Sequence, residues 1–235
     1  CEGSTLKFRR CSTCRAALNH GVLQITGVGT SPSNGLRKGV VVNIENTVRA
    51  ISQAVEAAEM MSGIEVSRCM IGIGGTHIDG LNSRGVVAVT GKGRDNREIG
   101  QEDIHRVIDA AKAVVIPMDR QVLHVIPQSY IVDEQRGVKD PRNMIGVRLE
   151  SEVHIITGSV TSVQNMIKCV NRSALTVDEY MLHSLASVKS VMTEEERDLG
   201  SVLVDLGGGT TDVIVMADGA PLLTAVLPDG GIQVT

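Results

Sequence analysis

The stretch SVLVDLGGGTTDVIVMADG, residues 201–219, decides how this sequence is interpreted. Apolar residues lie on both sides of three consecutive glycines, with an Asp before the glycines and Thr-Thr-Asp after them. This pattern predicts two strands joined by a tight turn. The dipeptide Asp218-Gly219 predicts a second turn, which leads into a third strand with the sequence APLLTAVLP.

The glycine turn has the composition of a phosphate-binding loop. A turn without side chains exposes successive backbone N–H groups, which form a nest for an anion, and neighbouring hydroxyls add donors. The residues expected to line the phosphates are Gly207, Gly208, Gly209, Thr210 and Thr211. Asp205 would repel a phosphate directly, so we expect it to hold Mg²⁺ through water, with the ion bridging the phosphates.

Other glycine-rich signatures fit this turn less well. No Lys-Ser/Thr pair follows the glycines, as a Walker P-loop requires, and the turn leads into a strand where a Rossmann fingerprint needs a helix. A plain glycine-rich hairpin is the remaining alternative. The flanking Asp and Thr-Thr-Asp favour phosphate binding over that alternative.

Composition limits the class of protein. The 235 residues suffice for one large or two small domains, and 42% of them are apolar. With no Trp, one Phe and two Tyr, the core is aliphatic, which suits strands buried on both faces. A net charge of −4 argues against a nucleic-acid surface. Without a long apolar run, a secretory signal or an even number of cysteines, the sequence predicts a soluble cytosolic α/β protein.

The chain before the glycine turn reads as mixed strands and helices. Asn43 is predicted to cap a helix that Gly63 closes, and Thr193 with Glu196 forms a capping box. Strands are predicted at 21–30, 69–75, 86–89 and 148–159, an extended segment broken by Pro127 at 121–133, a loop at 90–100, and further helices at 101–115, 160–170 and 181–192.

The octapeptide DLGGGTTD resembles the second phosphate loop of the actin, Hsp70 and sugar-kinase superfamily. Longer segments narrow this resemblance to the bacterial FtsA family over residues 21–235. These segments are NSRGVVAV, AAKAVVIPMDRQVLHVIPQSYIVD, GVKDPRNMIGVRLESEVHIITG, VQNMIKCVNRSAL and LASVKSVMTEEERDLG.

The resemblance implies an actin-like fold, in which two ribonuclease-H-like α/β domains close on ATP and Mg²⁺. The first domain would comprise residues 21–81 and 149–199, and a small α+β subdomain would be inserted at 82–148. Residues 200–235 would begin the second domain, and residues 1–20 have no match to the family.

The resemblance also implies a role in cell division. A family member assembles at the division septum, polymerises, and links the FtsZ ring to the inner membrane through a C-terminal amphipathic helix. It is therefore expected to be cytoplasmic and peripheral on the cytoplasmic face of that membrane, with FtsZ and other divisome proteins as partners and no nucleic acid. Hydrolysis of ATP is expected to be weak at most.

Site residues transfer from the family to matching positions. Asp205 would sit beside Mg²⁺ and the attacking water, and Gly230 and Gly231 match the glycine pair that opens the next helix near the nucleotide. Asp229, before that pair, departs from the usual small or apolar residue and would weaken binding if its carboxylate pointed inward. His183 stands where an acidic or amide residue is common, with a small effect expected on the interdomain hinge.

Both ends of the sequence depart from the family. An Asp-Ile-Gly-Thr-like first phosphate loop has no counterpart before Gly21, and the sequence stops before the adenosine-binding segment. We therefore expect no tight nucleotide binding by this chain alone. The N-terminal segment admits two hypotheses, a reading-frame error or a zinc site. The possible zinc ligands are Cys1, Cys11, Cys14 and His20.

Two other functions remain open at this point: a pilus-assembly adaptor of the PilM type, and a phosphotransferase such as a sugar or acetate kinase. A kinase would need a catalytic carboxylate in a substrate-binding insert. The acidic residues in or near the insert lie in no recognisable pocket motif; they are Asp95, Asp103, Asp109, Asp119 and Asp133. Hsp70-like chaperoning is disfavoured by the position of the insert.

Overall fold

A computed structural model describes residues 10–19, 22–90 and 98–231, and the structural statements below refer to these residues. The strands are β1 (Arg10–Asn19), β2 (Val22–Pro32), β3 (Leu36–Arg37), β4 (Val40–Val41), β5 (Arg68–Ile73), β6 (Asp79–Ala88), β7 (Arg120–Val132), β8 (Gln135–Val138), β9 (Arg148–Ser159), β10 (Thr176–Leu182), β11 (Ser201–Leu206), β12 (Thr211–Ala217) and β13 (Ala220–Leu227). The helices are α1 (Ile44–Ser62), α2 (Gln101–Lys112), α3 (Val160–Arg172), α4 (His183–Val191) and α5 (Glu194–Leu199).

Helix α1 is the framework of the first half of the chain. The Asn43 side chain accepts a hydrogen bond from the Asn46 amide, and Gly63 ends the helix in the left-handed region at φ 69°. Both predicted ends are thus confirmed. The helix packs on the antiparallel pair β1–β2 and, with α3, buries Ile51 and Val55 close to the parallel pair β5–β10.

The middle of the chain forms its own sheet. Strands β6, β9, β7 and β8 are joined in that order, with antiparallel pairing throughout. Helix α2 lies on this sheet because its apolar face is buried at Ile104, Val107 and Ala111. Strand β9 is buried along most of its length, so it serves both this sheet and the core next to it.

The predicted glycine-turn strands form a three-stranded antiparallel sheet in the order β11–β12–β13. One face of this sheet buries Ile214 and Met216 in a core that also contains Ile73, Ile156 and Leu182. That core places the end of β5, the start of α4 and the glycine turn in one region. The opposite face exposes apolar side chains, namely Val202, Val204, Leu206, Leu223 and Leu227.

The same sheet is also joined to the middle sheet by a polar cluster. His154 on β9 lies between Asn82 on β6 and Thr224 on β13, with Nδ1 2.6 Å from Asn82 Oδ1 and Nε2 2.9 Å from Thr224 Oγ1. Gln128 of β7 donates to Asn82 Oδ1 over 3.2 Å and to the Pro221 carbonyl over 2.7 Å. These four side chains are called the His154 cluster below.

Several elements differ from their predictions. The last predicted helix begins at His183, because Met181 and Leu182 complete β10, a strand that periodicity did not indicate. Pro127 does not break β7; the pairing with β9 shifts register between Pro127 and Ser129, and this bulge accommodates the proline. Helix α2 ends at Lys112, earlier than predicted.

The N-terminal segment without a family match contributes β1, which pairs antiparallel with β2 from Arg10 to Asn19. Cys14 is exposed, whereas Cys1, His20 and the Cys11 side chain lie outside the described residues, so the zinc hypothesis stays a hypothesis. Residues 91–97 of the predicted loop also lie outside them. Among the described helices, none is both long and apolar enough to cross a bilayer.

Candidate phosphate-binding site

The glycine turn closes tightly between β11 and β12. Leu206 and Thr211 are the last paired residues, and the Gly207 amide donates to the Thr210 carbonyl over 2.9 Å. Gly208 is buried in this turn, while Gly209 and Thr210 remain partly accessible. The turn therefore brings the predicted phosphate-lining residues together at one end of the sheet.

The second predicted glycine pair supports the turn from behind. The Gly231 amide donates to the Gly207 carbonyl over 3.0 Å, and the Thr211 hydroxyl donates to the Asp229 carbonyl over 2.8 Å. A Cβ on Gly230 would lie 2.7 Å from backbone atoms of Gly207, Gly208 and Gly209. Glycine is required at position 230 because no side chain fits between these two backbones.

Asp229 itself has an exposed side chain. Its contribution to the turn comes through its carbonyl, which accepts the Thr211 hydrogen bond. The expected repulsion depended on an inward carboxylate, and an exposed one is screened by water.

Two carboxylates lie at the base of the turn. Asp205 and Asp212 are directly paired across β11 and β12. The side chain of Asp212 is only 1% exposed, and among the described residues its Oδ1 has no hydrogen-bond partner. Asp205 is partly exposed, and its Oδ2 lies 3.4 Å from the Ser187 hydroxyl. An unpartnered buried carboxylate oxygen beside a partly open one suits a cation with its water shell.

His183, at the first position of α4, reaches this pair of carboxylates. Its Nε2 lies 3.3 Å from Asp212 Oδ2 and 3.8 Å from Asp205 Oδ2, and its Nδ1 lies 3.3 Å from the Ile73 carbonyl. A Cβ on Gly74 would lie 2.0 Å from this imidazole, so Gly74 leaves the space that the ring occupies. Burial alone would lower the pKa of His183, but hydrogen bonding and charge from Asp212, with the charge of Asp205, raise it above its ordinary 6.5.

The sequence alone did not indicate the role of Asp212 or the place of His183 beside the two carboxylates. Asp212 was visible as the last residue of Thr-Thr-Asp, but its inward direction depends on the strand register. His183 was considered only for the hinge. The signal in the sequence is the segment IGIGG, in which three glycines surround Ile73. One of them, Gly74, leaves the space that the His183 ring occupies.

Two of the acidic residues considered for phosphotransfer, Asp103 and Asp133, have structural partners. Asp103 is buried and binds the Gly100 and Thr90 amides and the Arg106 guanidinium. Asp133 accepts from the amides of Val147 and Arg148. Asp95 lies outside the described residues, within which no cluster of three metal-ligating side chains occurs. The insert thus offers little support for a kinase site.

Comparison with known proteins gives a consistent result. The family model described as the SHS2 domain inserted in FtsA matches residues 75–157. The cell division protein FtsA of Borreliella burgdorferi is 52% identical over 213 residues, which are 91% of this chain and 51% of that protein. FtsA of Pseudomonas aeruginosa is 51% identical over 215 residues, 92% of this chain and 50% of that protein.

FtsA of Escherichia coli is 40% identical over 218 residues, 93% of this chain and 51% of that protein. The chain thus spans about half the length of the curated relatives that it matches. Among solved structures, a PilM-PilN type IV pilus biogenesis complex aligns with a TM-score of 0.65 at 12% identity, covering 96% of this chain and 60% of that one. The ethanolamine utilization protein EutJ of Carboxydothermus hydrogenoformans aligns with a TM-score of 0.51 at 11% identity, covering 97% and 51%. Such low identities show the actin-like fold alone.

Proposed function

The chain belongs to the FtsA family of cell division proteins, and from this premise we propose that it carries the second phosphate loop of an ATP- and Mg²⁺-binding division protein. The observation that supports this most directly is the packing of Gly230 against the backbone of the Gly207–Gly209 turn. That packing fixes a turn of bare backbone, which is suited to phosphate oxygens.

Each residue has a distinct task in this proposal. The amides of Gly208 and Gly209 and the hydroxyl of Thr210 bind phosphate oxygens. The Gly207 amide and the Thr211 hydroxyl line the site but donate within it, to the carbonyls of Thr210 and Asp229. Asp205 holds the hydrated cation and orients the attacking water, and Asp212 fixes the His183 imidazole next to it. Bound Mg²⁺ neutralises charge on the phosphates. Turnover is proposed to be slow, so that nucleotide controls assembly more than it supplies product.

At the cellular level, we propose that the full protein assembles at the division septum and links the FtsZ ring to the inner membrane. Self-association into filaments, contact with FtsZ and other divisome proteins, and attachment to the cytoplasmic face through a C-terminal amphipathic helix belong to this proposal. The family membership supports it. The pilus and kinase alternatives have no comparable support. The pilus alternative rests on a fold likeness at 12% identity, and the insert offers little support for a kinase site.

Phosphate binding is testable with ¹⁵N-labelled chain. Adding Mg·ATP to millimolar concentration should shift the amide signals of Gly207, Gly208 and Gly209. Gly219, in the β12–β13 turn at the other end of the same sheet, is the matched control and should not move. The D205N variant should lose the Mg²⁺ dependence of the shifts. Equal responses at both turns, or none at either, would exclude a phosphate site.

The division role is testable with a chimaera. The 215 matching residues of Pseudomonas aeruginosa FtsA would be replaced by those of this chain, and the native protein would then be depleted. Cells carrying the chimaera should divide, whereas cells carrying its D205N form should grow as filaments. Filaments from a stable, correctly expressed wild-type chimaera would contradict the proposal.

A further inference from the structure

The short hairpin β3–β4 places a lysine beside the glycine turn. Its two-residue turn consists of Lys38 and Gly39, both with positive φ, at 50° and 78°. Left-handed backbone is rare for lysine, so the surrounding structure must fix it. Residues far away in the sequence do so, at the end of β5.

Gly75 holds this turn by direct backbone packing. A Cβ on Gly39 would lie 2.3 Å from the Gly75 Cα, and a Cβ on Gly75 would lie 2.8 Å from the Lys38 carbonyl oxygen. The Thr76 amide donates to that same carbonyl over 3.2 Å. The backbone at Lys38 is thus fixed by packing against Gly75 and by the hydrogen bond from the Thr76 amide. No side chain would fit between Gly39 and Gly75.

The other side of the turn faces the candidate phosphate loop. A Cβ placed on Gly209 would lie 3.7 Å from the Lys38 nitrogen and 3.8 Å from its Cα. These are ordinary packing distances, so the two backbones are neighbours. A lysine carries its ammonium on a flexible four-carbon stem, and from this position that stem is long enough to reach a ligand on the Gly207–Gly209 amides.

The negative charge at the glycine turn explains why a lysine beside it would matter for phosphate binding. The carboxylates of Asp205 and Asp212 place negative charge at the base of the turn, and no Lys follows its glycines as in a Walker loop. Within the described part of the chain, no carboxylate lies in ion-pair contact with Lys38, whose side chain is half-buried. A polyphosphate at the turn would therefore need a cation from another segment, and Lys38 is placed to supply it.

We propose that Lys38 is a phosphate-binding residue, which supplies from the β3–β4 hairpin the positive charge that the glycine turn lacks. The ligand class is a nucleoside polyphosphate with its divalent cation, so the inference rests on the proposed function and deepens it. The contact joins the first half of the chain to the phosphate loop, and phosphate binding would draw the two together.

The test compares K38Q with K38R and with R37A in the ¹⁵N-labelled chain. Glutamine removes the charge at similar length, arginine keeps it, and Arg37 is an exposed neighbour on the same hairpin. Mg·ATP and Mg·tripolyphosphate are titrated against the Gly207–Gly209 amide signals. We expect K38Q to bind both probes about 10-fold more weakly, since a charge-assisted hydrogen bond is lost. K38R and R37A should stay within about 3-fold of the original chain, on the same grounds.

Each outcome has a clear meaning. Wild-type binding that K38Q leaves unchanged overturns the role of Lys38 and leaves the proposed function standing. A loss seen with ATP and not with tripolyphosphate also overturns it, because the ammonium would then act away from the phosphates. No wild-type response to either probe overturns both proposals. Thermal unfolding without ligand checks the fold of each variant. If K38Q melts at a lower temperature than K38R, the titrations are repeated at a temperature at which K38Q remains folded.

Discussion

Two histidines in this molecule, the buried His154 and the partly buried His183, have pKa values shifted in opposite directions. His154 is 1% exposed and has neutral partners, the Asn82 amide and the Thr224 hydroxyl, and burial lowers its pKa below 6.5. The side chain of His183 is 33% exposed, and burial acts on it in the same direction, but Asp212 and Asp205 reverse the effect and raise its pKa. The partner, more than the depth of burial, decides the charge.

The hydrogen bonds of the His154 cluster also determine its tautomer. The Asn82 Nδ2 donates to the Leu222 carbonyl over 3.0 Å, so its Oδ1 is the acceptor that faces His154 Nδ1. His154 therefore carries its proton on Nδ1, and Nε2 accepts from the Thr224 hydroxyl. A neutral histidine is suited to a permanent junction between sheets, whereas the raised pKa of His183 reflects the two carboxylates beside it at the turn.

The largest effect is expected from H154L. Leucine removes both hydrogen bonds and leaves the Thr224 hydroxyl buried without its partner. The free energy of unfolding should fall by about 3 kcal/mol. Urea denaturation followed by circular dichroism measures it. The same substitution at the exposed His105 is the control and should change stability by less than about 0.5 kcal/mol. Equal effects at the two positions would show that the junction is not stabilised by His154.

The N82D variant should give His154 a raised pKa, like that of His183. A carboxylate 2.6 Å from Nδ1 favours the imidazolium, so the pKa of His154 should rise by about one unit or more, equivalent to about 1.4 kcal/mol. The Cε1–H chemical shift against pH measures this. N82S, which adds no charge, should leave the pKa below 6.5. A pKa that stays low in N82D would mean that desolvation outweighs the partner.

The D212N variant is the reverse exchange. Without this carboxylate, burial should dominate and the pKa of His183 should fall below 6.5, with Asp205 at 3.8 Å limiting the decrease. The chemical shift of the His183 Cε1–H proton, followed against pH, measures this change. D218N, an exposed residue beyond the other end of β12, should have no effect on His183. An unchanged His183 pKa in D212N would assign the shift to Asp205.

The smallest expected effect is the opposite pH dependence that the two histidines give to stability. Because the folded pKa of His154 is lowered, its contribution is complete above 6.5 and is lost as the pH falls below that value. Because the folded pKa of His183 is raised, its contribution is present below 6.5 and is lost as the pH rises through the folded pKa.

The original chain should therefore differ in urea unfolding from H154Q mainly at the alkaline end of the range from about pH 5.5 to 8, and from H183Q mainly at the acid end. Each difference should shrink by about 1 kcal/mol toward the other end of the range. His77 and His124, whose pKa values burial also lowers, are present in all three proteins and cancel in the comparison. Parallel curves for the two variants would contradict the contrast between the histidines.

Features encoded within a few neighbouring residues were predictable from the sequence. The Asn43 cap, the Gly63 stop, the Thr193–Glu196 capping box and the hairpin around the glycine turn all appear as predicted. Their hydrogen bonds join residues close in sequence, so local composition specifies them. The extended resemblance added the actin-like fold, which the shared fold of the structural neighbours supports.

Features that depend on strand register or on distant segments were decided only by the tertiary structure. Strand β10 forms because β5 offers it a parallel partner, and β7 continues through Pro127 because a bulge accommodates the ring. His154 and Thr224 are 70 residues apart, and Lys38 meets the glycine turn only after Gly75 has fixed its backbone. The sequence by itself determined which residue types could bind phosphate. Packing between distant backbones decided which charges surround them, because side-chain direction is set by register and close approach, and neither is a local property.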